Sequence, residues 1–147
     1  MSAADVDVTW RGEFTSTEAN RLHAVAFGTR VFSDEEWEWR LLVERHSLGW
    51  CTARVGGPRG PGALVGFANV VWDGSVHAWL QDVMVDVALR GSGVGRRLVD
   101  LAADEAARAG CEWLHVDFDE KLAGFYLDRC GFERTSAGLR ALRPSAG

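Results

Sequence analysis

The run Val83-Met84-Val85-Asp86-Val87-Ala88-Leu89-Arg90-Gly91-Ser92-Gly93-Val94-Gly95-Arg96-Arg97-Leu98 constrains this chain more than any other. A β-like stretch breaks there into three closely spaced glycines that open an amphipathic helix. Glycine reaches backbone conformations that a side chain disfavours and lets the main chain approach a ligand. N–H groups at a helix start have no partner within the helix, and the helix dipole adds positive charge, so the turn is built to hold an anion such as phosphate. It is not an ATP-type P-loop, because no Gly-Lys-Ser/Thr ending is present. Nor is it a dinucleotide fingerprint: Gly91, Gly93 and Gly95 give G-x-G-x-G in place of G-x-G-x-x-G, with no complete βαβ unit around them.

The rest of the chain reads as alternating elements. Val6, Val8 and Trp10 alternate as a strand, and Thr15 with Glu18 forms a capping box for a helix carrying Leu22, Val25 and Ala26. Ser33 and Glu36 repeat that box ahead of a second helix presenting Trp37, Arg40, Leu41 and Glu44. Strands are expected over 50–55 and 64–72, joined by a Gly/Pro loop, Gly56 to Gly62, that is expected to be mobile and is given no function. A strand over 77–87 leads into the glycine turn, and the helix after it runs over 93–109 with Val94, Leu98, Leu101 and Ala102 on one stripe. A strand over 113–118, a short helix over 120–130 closed by Gly131, and last strands over 132–142 complete the reading.

Size and charge bound the function. At 147 residues the chain is expected to form one domain, 1–147. Its 47% apolar and 25% charged residues are those of an ordinary folded globule. No apolar run reaches the roughly 18 residues of a membrane span, and Met1-Ser2-Ala3-Ala4-Asp5 is no signal peptide. The cytoplasm is therefore the expected compartment and a membrane is not an expected partner. The net charge of −5 argues against nucleic acid and suits a cationic partner such as an amine. Cys51, Cys111 and Cys130 are odd in number and widely spaced, which reads as buried reduced thiols with no metal-ligand spacing. Lys121 is the one lysine among sixteen Lys and Arg residues, an association with GC-rich bacterial coding.

Arg90-Gly91-Ser92-Gly93-Val94-Gly95 resembles the Q/R-x-x-G-x-G/A pyrophosphate loop of the GNAT superfamily of acyl-CoA N-acyltransferases. Leu114-His115-Val116-Asp117-Phe118 and Ala123-Gly124-Phe125-Tyr126-Leu127-Asp128-Arg129-Cys130-Gly131-Phe132 resemble that family's later strand and its F-Y-x-x-x-G-F helix end. The resemblance runs from Leu80 to Phe132, roughly a third of the 147 residues. It implies a mixed α/β fold: a central, mostly antiparallel sheet of six to seven strands flanked by four helices. It also implies acetyl-CoA as co-substrate and transfer of its acetyl group to a primary amine by direct attack in a ternary complex, without a metal.

Acyl transfer needs the thioester held, its carbonyl polarised, the amine deprotonated and the departing thiolate stabilised. The resemblance assigns the pyrophosphate to backbone N–H groups of Gly91, Ser92, Gly93, Val94, Gly95 and Arg96, with Arg90 opening the motif. It assigns the pantetheine arm and acyl carbonyl to the backbone of Val83, Met84 and Val85. Tyr126, the chain's one tyrosine, falls on the position whose phenol acts as acid to the leaving sulfur; phenol and thiol have ordinary pKa values of about 10 and 8.5. It could equally pack beside Leu122 and Phe125. For the base, His115 lies close to where some members carry a glutamate, and histidine is the side-chain type suited to proton transfer near neutral pH. Asp117 on the same strand face and Asp82 ahead of the turn are alternatives, as is an ordinary surface role for all three.

Two positions depart from the family pattern: Asp119 stands where an asparagine often bonds pantetheine, and Val87 where proline is frequent. Aspartate cannot donate that bond when ionised and suits a helix N-cap. The acceptor is not named by any motif. Trp37, Trp39, Trp72 and Trp79 with Glu35, Glu36 and Glu38 could form an aromatic, anionic cup for a cationic amine, or be core and solvated helix start. Polyamine, amino acid, aminoglycoside and protein N-terminus or lysine all fit, and a homodimer is compatible with the pattern. The rival reading is a non-catalytic acyl-CoA sensor or interaction module, which needs the glycine turn but not Tyr126.

Overall fold

Alternating apolar residues build a five-stranded sheet in the order β1-β2-β3-β4-β5. The strands are β1 (Val6–Trp10), β2 (Ser47–Val55), β3 (Leu64–Trp72), β4 (His77–Val85) and β5 (Trp113–Val116). β1 to β4 run antiparallel to their neighbours, and β5 pairs parallel with β4. The computed structural model describes residues 2–56 and 62–144, in two compact units, Met1–Asp117 and Phe118–Gly147. The loop expected between Gly56 and Gly62 lies largely outside the described residues.

Two helices, α1 (Ser16–Phe27) and α2 (Trp39–His46), bury one face of the sheet. Thr15 and Glu18 form the expected capping box on α1, satisfying two orphan N–H groups at a gain of about 1 kcal/mol. Glu18 also bonds Arg54 on β2 at 2.6 Å, so one side chain both starts the helix and ties it to the sheet. Leu22, Trp39, Val43, Trp50, Phe67 and Met84 pack together in the core on this side. The Ser33–Glu36 box also forms, but it closes an isolated turn. Glu38 then leaves the helical region at φ −91°, ψ 73°, and α2 begins at Trp39, where the Arg40 N–H is capped by Ser16 Oγ at 3.1 Å.

The opposite face takes α3 (Val94–Arg108), which buries Val94, Leu98, Val99, Ala102 and Ala106. Gly66 sets how close it comes: a Cβ there would lie 2.9 Å from Ala53 Cβ and 3.0 Å from Leu98 Cδ1. In the unit beginning at Phe118, Asp119 caps a 3-10 turn, Glu120–Leu122, as its place at a helix start suggested. A π-helix, Gly124–Arg129, follows. Counting it, four helices accompany the sheet, as expected.

The sheet has five strands rather than six or seven. No strand forms over 132–142. That segment holds one β-branched residue, Thr135, and its Leu139 and Leu142 are 95% and 91% exposed. Without an alternating apolar face to bury, it has little to stabilise a pairing. Among the described residues no disulfide forms; Cys51 is buried and Cys111 and Cys130 are half-buried. Among the described residues no helix is long and apolar enough to cross a membrane.

Candidate functional site

The expected phosphate turn is formed by a chain of local constraints. Asp86 N–H is held by Val65 O at 2.8 Å, and its carboxylate accepts from Ala88 N–H at 2.9 Å, closing a 3-10 turn whose Leu89 is buried. Ser92 N–H returns to Leu89 O. Gly91 and Gly93 then take φ of +76° and +97°, and Gly93 is the N-cap of α3 with no side chain capping it. Nothing lies within 4 Å of where a Cβ would stand on either residue, so conformation and not space requires glycine. The first intrahelical bond is Arg97 N–H to Gly93 O, which leaves the N–H groups of Val94, Gly95 and Arg96 with no carbonyl ahead of them. Such a helix start attracts phosphate by directed donors and by the dipole.

Side chains around the turn brace it. The Arg90 guanidinium donates to Ala26 O at the end of α1, and Arg97 donates to Ala3 O and Val6 O. Arg96 is 60% exposed, with Asp100 at 3.7 Å, so its charge stands beside the N–H cluster. Arg90 therefore acts through the shape of the loop, while Arg96 is the arginine placed to meet an anion.

β4 forks away from β5 just before this turn. β5 pairs with His77 to Leu80 and ends at Val116. Val85 and Met84 pair with Gly66 and Phe67 of β3, but among the described residues no strand pairs with the other edge of Val83 to Val85. That edge offers backbone donors and acceptors to an extended ligand, as any open strand edge does. At the fork the β3–β4 register slips between Phe67 and Asn69, and Asp82 takes φ +54°, a β-bulge with a non-glycine residue in the left-handed region. Strict alternation would set Asp82, two residues before Met84, on the same face as Met84; the slip ends that alternation.

His115 lies across from Trp79, stacks on its indole at 4.8 Å and 16°, and places Nε2 2.8 Å from His77 Nδ1. Asp117 lies past the end of β5 and is exposed. Trp79 stands four positions before Val83, about 13 Å at the usual strand rise. Tyr126 is buried in its own unit, stacked on Phe118 at 5.2 Å with Phe125 and Phe132 edge-on. Burial, with Cys130 beside it, pushes its phenol up to about 12. The sequence left open whether Tyr126 packs or acts; it does pack, against Phe125 as that reading expected and also against Phe118 and Phe132.

The tryptophan cup takes a different form. Trp37 and Trp39 stack at 5.5 Å, and Trp39 Nε1 donates to the buried Asn20 at 2.9 Å. Glu36 is bound by Arg30 at 2.6 Å, which with the Ser33 N–H holds its carboxyl down to about 2. It is no free anion for a substrate. A signal missed in the sequence is Asn69, 2% exposed in the middle of an apolar strand; a polar residue in such a run is rarely buried without a partner.

This architecture can be set beside known proteins. The model of the acetyltransferase (GNAT) family matches residues 14–132. The chain belongs to that family. It is also 40% identical over 53 residues to glucosamine 6-phosphate N-acetyltransferase 1 of Oryza sativa subsp. japonica, a match covering 36% of this chain and 32% of the rice protein. The match thus spans about a third of the curated relatives' length. An acetyltransferase from Trypanosoma brucei has the same fold with TM-score 0.74 at 22% identity, over 93% of this chain and 99% of its own. So does an aminoglycoside N-acetyltransferase solved with CoA, with TM-score 0.68 at 16% identity over 95% of each chain.

Proposed function

We propose that the chain is an acetyl-CoA-dependent N-acetyltransferase that passes the acetyl group to a primary amine by direct attack in a ternary complex. The observation that carries the reading is the glycine turn, whose first three helical N–H groups have no carbonyl ahead of them within the helix, set directly after a strand whose last three residues have, among the described residues, no strand on their outer edge. Pyrophosphate would sit on Gly91 to Arg96, and the pantetheine arm would run along Val83 to Val85 as an added strand. Family membership supports acetyl-CoA as the donor. The family match runs through both units, which supports their acting as one domain, 1–147.

Tyr126 serves the departing sulfur. At about 12 the phenol stays protonated at any working pH and can donate a hydrogen bond. Full transfer to a thiolate of ordinary pKa about 8.5 would be uphill by roughly 5 kcal/mol. Its contribution is therefore a hydrogen bond that stabilises the charge developing on sulfur as the C–S bond breaks. His115, bonded to His77, serves as the proton's way out to solvent. The reaction needs no metal in this account.

The acceptor is a primary amine. The rice relatives are named for glucosamine 6-phosphate and one structural neighbour for aminoglycosides, so amino sugars are the first acceptors to try, with a cationic amine favoured by the net charge of −5. Incubation with acetyl-CoA and glucosamine 6-phosphate, neamine or spermidine, followed by mass spectrometry, should show one amine gaining an acetyl group. Acetyl-CoA binding with no acetylated product would instead support the sensor reading.

A further inference from the structure

We infer that the acceptor amine is carried on a flat aromatic body, an arylalkylamine in chemical class, seated on the ring cluster that His23, Phe27, Phe32 and Trp37 form between α1 and α2. The inference rests on the acetyltransferase reading above and narrows it, naming what the amine is attached to. Its first ground is what the polar groups of this segment already hold. Asn20 donates to Asp34 Oδ1 and to Trp37 O, both at 3.1 Å, and accepts from Trp39 Nε1 at 2.9 Å. Thr17 donates to the other Asp34 oxygen at 2.6 Å. Both Glu36 oxygens take Arg30, at 3.1 and 2.6 Å, and the same guanidinium lies 4.4 Å over the Phe32 ring. A polyamine would need free carboxylates and a sugar phosphate a free cation, but Asp34, Glu36 and Arg30 are each already bound.

The second ground is the rings that this scaffold leaves at the surface. His23 meets Phe27, Phe32 and Trp39 at 4.9, 5.7 and 6.0 Å, and Trp37 stacks on Trp39 at 5.5 Å and 22°. Trp39 is buried, whereas Phe27 and Trp37 are 53% and 46% exposed, and Val31 between them in sequence is 60% exposed. Single apolar residues at a surface need no explanation, but a run of touching rings on a hydrogen-bonded frame has the composition of a ligand-binding surface. Aromatic rings prefer other rings offset or edge-on, and their faces attract an ammonium group. An arylalkylamine supplies both partners in one molecule.

The third ground is that the rings adjoin the stretch assigned to the donor. Trp39 stands edge-on to Phe67 at 6.1 Å, and Phe67 pairs with Met84, the middle residue of the open edge. Leu22, the neighbour of His23, packs in the same core as Met84. At the other end of the donor stretch, Arg90 of the glycine turn donates to Ala26 O, and Ala26 is the neighbour of Phe27. The ring cluster thus flanks the chain from Met84 to Arg90, and an acceptor ring seated on it carries its alkylamine towards the edge where the thioester would lie.

The test measures thiol release from acetyl-CoA by the full chain with tryptamine, phenethylamine, the cyclohexyl analogue of phenethylamine, glucosamine 6-phosphate, neamine and spermidine, alongside calorimetric acetyl-CoA binding. The two arylalkylamines should have the highest kcat/KM, about tenfold or more above the sugars and spermidine. They should exceed the cyclohexyl analogue, which keeps the size and loses the π face, about three- to tenfold. Trp37→Ala and Phe27→Ala should each leave acetyl-CoA affinity within about twofold and raise KM for phenethylamine about three- to tenfold, bringing the phenyl-to-cyclohexyl ratio towards one. Trp37→Phe should restore most of that ratio, whereas a purely structural role would affect all amines alike. A sugar or spermidine preferred over both arylalkylamines overturns the aromatic assignment and leaves the enzymatic reading standing. So does a native phenyl-to-cyclohexyl ratio of one, or native phenethylamine kinetics in both alanine variants. Acetyl-CoA binding with no amine of the set acetylated overturns the enzymatic reading, and this assignment with it.

Discussion

The glycine turn and the α1–α2 side of the sheet do opposite kinds of work. At the turn the active groups are main-chain N–H groups: Gly93 at φ +97° opens α3, and no side chain caps it. On the α1–α2 side the buried and half-buried polar groups are side chains, Asn20, Asn69 and Asp82, carried by α1, β3 and β4. The first kind of site is written in consecutive letters. The second is written in packing. The comparison explains why a family's donor can be read from one motif while the acceptor of one member cannot.

The largest effect should come from breaking the turn. Gly93→Val forces a β-branched residue to positive φ, a strain of about 1–3 kcal/mol, and should weaken acetyl-CoA at least tenfold by calorimetry. Unaltered affinity would mean that the backbone conformation at Gly93 does not matter to the donor. Tyr126→Phe should spare acetyl-CoA affinity and lower turnover roughly ten- to hundredfold, the low end of what a positioned proton donor contributes. A native rate in this variant would leave Tyr126 as a packing residue of its aromatic cluster.

A smaller effect separates shape from charge at the loop. Arg90→Ala removes the guanidinium bond to Ala26 O and should weaken acetyl-CoA about tenfold, the worth of a hydrogen bond from a charged donor. Added salt should not reproduce that loss, because this guanidinium braces the loop and does not meet the phosphate. Arg96→Ala should give a loss of similar size that salt does mask.

The smallest effect lies in the scaffold on the side-chain half of the comparison. The Arg54 hydrogen bond holds the Glu18 carboxyl below its ordinary value of 4.5. A carboxyl with a depressed folded-state pKa stabilises the fold above the unfolded value, and that stability is lost as pH falls through the folded value. Glu18→Gln should therefore lower stability by about 1 kcal/mol near neutral pH and flatten the fall in acid below 4.5, as read from urea unfolding at several pH values.

How much was legible follows the same division. The turn could be read because only glycine answers a demand for positive φ. β1, β3 and α1 could be read because alternation and the Thr15–Glu18 box are local signals. The Ser33–Glu36 box misled because a capping box closes any single turn, and nothing in it forces the chain at Glu38 to continue as helix. The strands expected over 132–142 depend on partners and buried faces that local letters do not supply. Asp82 could be placed near the turn, but alternation sets it on the face of Met84, and the register slip against β3 that ends this alternation has no local signal. The pairing of His115 with His77 was hidden for a similar reason: the two residues are 38 positions apart and meet only because β5 returns parallel to β4.

The central claim is tested most directly by calorimetric titration with acetyl-CoA and with CoA, followed in the same preparation by thiol release against glucosamine 6-phosphate, neamine and spermidine. Saturable binding of both nucleotides, lost in Gly93→Val, with amine-dependent thiol release is the predicted result. Absence of binding by the native chain would contradict the account at its root, because the turn at Gly91 to Arg96 and the open edge of Val83 to Val85 would then hold no acyl-CoA.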